Sequence, residues 1–203
     1  MRVFSTRAVK KRGACVHGYM NTSRIQELRR RLLEEHRRVW WGCLLVFSRD
    51  FFNFLPDGSV VLDVGCNVQM LKHGILERRP SCFVVGLDIV DYSVLYEDPG
   101  GKRPDIIASG EALPLREGCV DFLSMIETLE HMDSAAALRE ARRVLKAGGR
   151  LFIQSVHKDD PAFKADPTHV TPLDEGFLRS HLQGMSWVEV RRISGTLVVR
   201  AVK

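Results

Sequence analysis

The sequence predicts an α/β fold: a doubly wound, mostly parallel seven-stranded sheet finished by a C-terminal antiparallel hairpin. Three observations predict it. First, Val60-Val61-Leu62-Asp63-Val64-Gly65-Cys66-Asn67 reads as a buried strand that ends on an acid and enters a tight turn before a helix. Second, Cys82-Phe83-Val84-Val85-Gly86-Leu87-Asp88 is an apolar run that also ends on an acid, at the separation that lets such a carboxylate reach ribose hydroxyls. Third, strands and helices alternate until the end, where Trp187–Arg192 and Thr196–Val202 flank the turn residues Ser194-Gly195.

Taken in order, residues 1–22 lack periodicity and read as a basic, flexible arm. Asn21-Thr22-Ser23 offers caps for a helix that continues through Ile25, Leu28 and Leu32 to about Phe47. Residues 23–56 therefore form a helical cap and residues 57–203 the main domain, entered through the turn Pro56-Asp57-Gly58. Within that domain the pattern predicts strands at 60–64, 82–88, 105–108, 120–126 and 150–155. Helices fall at 68–79, 134–146 and 173–182, the second closed by Ala147-Gly148-Gly149 as a C-cap.

The chain has 203 residues, a net charge of +5 and 45% hydrophobic residues, ordinary values for a globular protein. The charge is uneven. Residues 1–50 carry twelve Lys/Arg against four Asp/Glu, and the first acid is Glu27. Such an arm is either a solvated tail or a contact for nucleic acid through residues 1–50; an organelle transit peptide is a third reading. The longest apolar run, Val39–Phe47, is too short for a bilayer, so no membrane span is expected. Five cysteines with no C-x-x-C pair suit a reduced, cytoplasmic protein.

Five segments, in order and in register, resemble the class I S-adenosylmethionine (SAM) dependent methyltransferases of compact type. They are Val61–Cys66, Val85–Ile89, Gly110–Leu115, Val120–His131 and Glu140–Leu151. The resemblance covers about residues 58–202 and implies a Rossmann-like methyltransferase fold with SAM as cofactor. It assigns cofactor contacts to Asp63, Gly65, Cys66, Asn67, Asp88, Ile89, Ser109, Gly110, Glu111, Met125 and Ile126. Physical reasons accompany several of these. Asp63 can hold turn amides or an ammonium, Gly65 permits close backbone approach, and Asp88 can accept two hydroxyls. The family pattern Gly-x-Gly-x-Gly is here Gly65-Cys66-Asn67-Val68-Gln69, and Ser109 stands where Asp is frequent. Asn tolerates a left-handed backbone, so Asn67 is expected to keep the turn.

Methyl transfer to a hydroxyl needs a base or a metal to take the proton. Glu127, Glu130 and His131 stand at the exit of the fourth strand, with spacings that share a face if a helix has begun there. Glu127, His131 and His169 are therefore the candidate catalytic residues, with His157 as a further possible base. Trp40, Trp41 and Phe163 are either walls of an acceptor pocket or core. Glu127, Glu130, His131 and His169 also resemble the metal set of small-RNA 2′-O-methyltransferases and some quinone-biosynthesis O-methyltransferases, which implies a divalent ion such as Mg²⁺ or Mn²⁺. The metal-free reading stands beside it, because helix starts favour acids without any ion. The expected function is methyl transfer from SAM to an oxygen or nitrogen of a small-molecule or sugar-like acceptor. The alternatives are a metal-assisted RNA 2′-O-methyltransferase and a non-catalytic methyltransferase-like subunit.

Overall fold

Residues 55–91 and 103–203 are described by the computed structural model, all within the unit Val46–Lys203. The expected basic arm and the expected 23–47 helix, with Trp40 and Trp41, lie outside the described residues. The elements are β1 (Val60–Val64), α1 (Met70–Arg78), β2 (Phe83–Asp88), β3 (Ile106–Ile107), β4 (Val120–Ile126), a 3-10 turn (Leu129–His131), α2 (Ser134–Val144), β5 (Leu145–Val156), α3 (Pro161–Ala165), α4 (Glu175–His181), β6 (Trp187–Ile193) and β7 (Thr196–Val202).

The seven strands form one sheet in the order β3-β2-β1-β4-β5-β7-β6. The pairs from β3 to β5 are parallel, and β7 is antiparallel to both β5 and β6. Chain order reverses between β1 and β4, which opens a crevice beyond their C-terminal ends, the usual ligand position in such sheets. Ser194 (φ 48°) and Gly195 (φ 88°) both take the left-handed conformation that a two-residue hairpin requires.

The strand period of two decides which residues meet the crevice. Asp63 pairs with Gly86 and Ser124, so these three share one face with Asp88. The alternate residues Val64, Leu87, Met125 and Ile153 point to the other face and join the main core. That core is closed by α2, whose Ala137, Leu138, Ala141 and Val144 are all buried at helical spacing. Asp133 caps α2 by accepting from the Ala136 amide at 3.1 Å.

One boundary differs in kind from the sequence expectation. The second predicted helix stops at Val144, not 146, and Ala147-Gly148-Gly149 is no helix cap. Leu145 is fully buried and pairs with Val120, so burial pulls it into the sheet. The register then jumps to Phe122 opposite Arg150, leaving a bulge that contains Gly148 at φ 74°. Gly148 and Gly149 exchange backbone hydrogen bonds with Lys203 there. The short α3 was not expected from the sequence, although Asp160-Pro161 is a cap followed by a first-turn proline.

Candidate active site

The turn after β1 follows a left-handed zigzag. Gly65, Asn67 and Gln69 have φ of 77°, 46° and 57°, so the two non-glycine residues keep the path expected of glycines. For Gln69 this carries a steric cost of roughly 1–2 kcal/mol. The turn is tied to β2, because the amides of Gly65 and Cys66 both donate to the Leu87 carbonyl at 2.8 and 3.1 Å. Gln69 heads α1 without a side-chain cap; its side chain is buried and donates to the Arg103 carbonyl. Cys66 is buried with its thiol toward Gly86, and burial pushes that thiol up.

Asp63 is 4% exposed and accepts from the Ser124 hydroxyl at 2.8 Å. Burial, reinforced by the charge of Asp88 and opposed by the Ser124 hydrogen bond, raises its pKa from 3.8 to about 7. A cationic group arriving beside it would restore the carboxylate. Asp88 accepts from the Asn67 amide at 2.9 Å and the Val90 amide at 3.1 Å, one on each oxygen. Each oxygen retains a second lone pair for a hydroxyl donor. Ile89 beside it is 69% exposed, an apolar surface open to a planar ring.

Other expected contacts serve the chain itself. Ser109 accepts from the Glu111 amide at 3.1 Å, and Glu111 accepts from the Asp133 amide at 2.8 Å. Gly110 is wedged between Val64 and Met132. Met125 is wholly buried on the core face, whereas Ile126 is partly exposed. Sequence reasoning missed Thr128. A Cβ on Gly65 would overlap its hydroxyl and lie 2.7 Å from its Cβ, so Thr128 occupies the close approach that Gly65 provides. Only the β1–β4 pairing could have revealed that contact.

At the β4 exit the helical-face expectation fails. Glu127 has φ 48° and precedes the single 3-10 turn that holds Glu130 and His131. Its amide donates to the Gln154 carbonyl at 2.8 Å, and its carboxylate accepts from Gln154 Nε2 at 3.0 Å. Glu127 is open to solvent yet crowded by protein, as in a cleft wall. That crowding, with the neighbouring Glu130 charge, raises its pKa to about 7. Glu130 is fully buried; one oxygen accepts from the Ser155 hydroxyl at 2.8 Å, and Oε1 has no donor among the described residues. Burial raises its pKa as well.

His169 arrives from a loop that the Glu130 carbonyl anchors, accepting from the amides of Val170 and Thr171 at 2.9 and 3.1 Å. The His131 and His169 rings lie 4.7 Å apart. Glu130, His131 and His169 each offer a ligand atom, all within 4.8 Å of one another, and Glu127 is outside that set. Phe163 stacks on His169 at 5.2 Å. Burial, then the His169 charge, lowers the pKa of His131, so it is neutral at pH 7. His157 is not a free base. It is 3% exposed, its Nδ1 accepts from the Asp159 amide at 3.0 Å, and its Nε2 lies 3.3 Å from a Glu175 oxygen. A separate cavity of about 410 Å³, lined by Pro56, Gly58, Asp121, Lys146 and Gly149 among others, lies at the N-terminal strand ends and takes no part in this site.

Residues 62–153 match the family model described as a methyltransferase domain. A tRNA (carboxymethyluridine(34)-5-O)-methyltransferase of Arabidopsis thaliana is 34% identical over 107 residues, covering 51% of this chain and 25% of that protein. A ubiquinone biosynthesis O-methyltransferase of Pseudomonas paraeruginosa is 28% identical over 113 residues, covering 52% of this chain and 48% of its own length. The chain thus spans half or less of the length of these relatives. The fold is similar to a SAM dependent methyltransferase from Archaeoglobus fulgidus, with a TM-score of 0.62, 16% identity, and coverage of 78% of this chain and 93% of that one. The family-model match runs from β1 into β5, and with the sheet order that accompanies it the chain carries the Rossmann-like methyltransferase fold.

Proposed function

We propose that this domain binds SAM in the β1–β4 crevice and transfers its methyl group to an acceptor oxygen beside His131 and His169. The observation that carries the reading is the preserved turn: Gly65, Asn67 and Gln69 hold left-handed conformations, with the buried Asp63 and Asp88 to either side. In this reading Asp63 faces the ligand's ammonium, Asp88 accepts its ribose hydroxyls and Ile89 lies against its adenine. The donor is already activated, so the chain aligns the acceptor and takes its proton. Neutral His131, with His169 or Glu127, is the base. Two O-methyltransferase relatives favour oxygen over nitrogen, and a small-molecule or sugar-like hydroxyl is the acceptor class we favour. No described helix is long and apolar enough to cross a membrane, and Cys66, Cys82 and Cys119 are free; both fit a cytoplasmic setting.

The test is heat-shift stabilisation by SAM and by its demethylated product. At a hundredfold excess over Kd, linkage adds about 2.7 kcal/mol, which for a domain of this size is roughly a 5–10 °C rise. Asp88→Ala should abolish the shift. Absence of any shift in the wild type at saturating SAM would instead support the non-catalytic subunit, for which the buried Gln69 side chain is the argument.

One observation favours a second, metal-assisted reading, which includes RNA 2′-O-methylation. Glu130 Oε1 is buried without a donor, in a cluster with two imidazoles. Such a donor set fits a divalent ion, with imidazole leaning toward Mn²⁺ over Mg²⁺. Glu130, His131 and His169 would hold it, and it would lower the pKa of an acceptor hydroxyl.

A further inference from the structure

We propose that Thr168, held by Asp166, is a positioning residue that locks the His131 ring as its Nδ1–H tautomer and leaves Nε2 as its basic atom. The inference rests on the reading of His131 as an acceptor-side base or ligand.

Proton counting carries the argument. A threonine hydroxyl has one proton to give. Thr168 Oγ1 lies 2.6 Å from Asp166 Oδ1, and the same oxygen accepts the Thr168 amide at 2.8 Å. Asp166 Oδ1 is the acceptor in both bonds. The hydroxyl proton therefore points to Asp166. Toward His131 Nδ1, 2.9 Å away, Thr168 can offer only a lone pair, and the ring nitrogen must supply the hydrogen.

The arrangement is not a lone surface contact. The loop that carries Thr168 is fastened to the turn that carries His131, through the Glu130 carbonyl and through the Thr171 hydroxyl, which donates to the Met132 carbonyl at 2.6 Å. His169 obeys the same logic: its Nδ1 lies 3.0 Å from the Phe163 carbonyl, which can only accept. Nδ1 is therefore protonated in both rings, and His169 Nε2 faces Asp166 Oδ2 at 3.8 Å. A carboxylate that reaches an imidazole through a hydroxyl fixes ring orientation and tautomer, as directly bonded carboxylates do at catalytic and metal-bound histidines.

The test is ¹⁵N-histidine NMR of the full chain at pH 8, in the wild type and in Thr168→Val, Thr168→Ser and Asp166→Ala. Wild type and Thr168→Ser should show His131 Nδ1 protonated and Nε2 bare. Thr168→Val removes the acceptor, and Asp166→Ala frees the hydroxyl to donate to Nδ1. Each should move the tautomer ratio about tenfold toward Nε2–H, the worth of one such hydrogen bond. A Thr168→Val spectrum with the wild-type tautomer, or a wild-type His131 protonated at Nε2, would overturn the proposal. SAM heat shifts on the same samples separate the two claims. Loss of the shift in the wild type strikes the cofactor reading, whereas the spectra alone decide the tautomer.

Discussion

Replacing Asp63 by Asn should stabilise this protein at pH 8 by clearly more than at pH 5, where only about one of the three pH units that separate the folded and unfolded pKa values has been crossed. The buried carboxyl titrates near 7 when folded and at its ordinary 3.8 when exposed to water. Between those values the folded state holds a proton that the unfolded state has released, so stability falls as pH rises from about 4 to 7 and is level above that. Three units at 1.36 kcal/mol each set the penalty for ionised, buried Asp63 at about 4 kcal/mol, as an upper order of magnitude. Asn cannot ionise, and its carbonyl can still accept from Ser124. Urea denaturation of the full chain at both pH values, compared at equal m, isolates the difference. Subtracting variant from wild type cancels the other raised carboxyls, Glu127 and Glu130, and what remains includes the repulsion from Asp88. A stability difference that is the same at pH 5 and pH 8 would refute the reasoning, as would a less stable variant at pH 8. The variant should also lose SAM affinity. In the wild type, binding of a cationic group should release a proton and therefore tighten as pH rises toward 7.

Gly65→Ala should destabilise by roughly 2–4 kcal/mol, because φ is 77° and the new methyl overlaps Thr128. Adding Thr128→Ala should relieve part of the clash, leaving the 2.7 Å contact with the residue-128 Cβ and the left-handed cost of about 1–2 kcal/mol; additive losses in urea denaturation would contradict this. Asp88→Ala removes acceptors for the Asn67 and Val90 amides, so a loss of about 1–3 kcal/mol should accompany the abolished SAM shift. If the metal-assisted reading holds, Mn²⁺ alone should raise the melting temperature of the wild type but not of Glu130→Gln or His169→Ala. Equal shifts in all three would remove it.

The crevice was legible because strand-end acids and turn residues are local. Asp63, Asp88 and the positive φ of Asn67 follow from a short stretch of chain and from which residue types tolerate such a backbone. Helix boundaries were less legible. Leu145 is a better helix former than Val144, so local preference alone would have carried the helix on, and its pairing with Val120 decided in favour of the sheet. The Glu127–His131 segment misled because a spacing of three and four means one face only inside a helix. A left-handed Glu127, clamped twice by Gln154, is invisible without β5.

By itself the sequence determined the sheet, its parallel and antiparallel parts, and the acids at the ends of β1 and β2, since hydrophobic period and turn chemistry are written along the chain. Tertiary structure alone decided that Met125 faces the core and that Thr128 fills the space over Gly65. It also decided that His169 meets His131 while both ring nitrogens of the buried His157 face Asp159 and Glu175. Those outcomes depend on register between strands and on where a loop is fastened, and neither is a property of neighbouring residues.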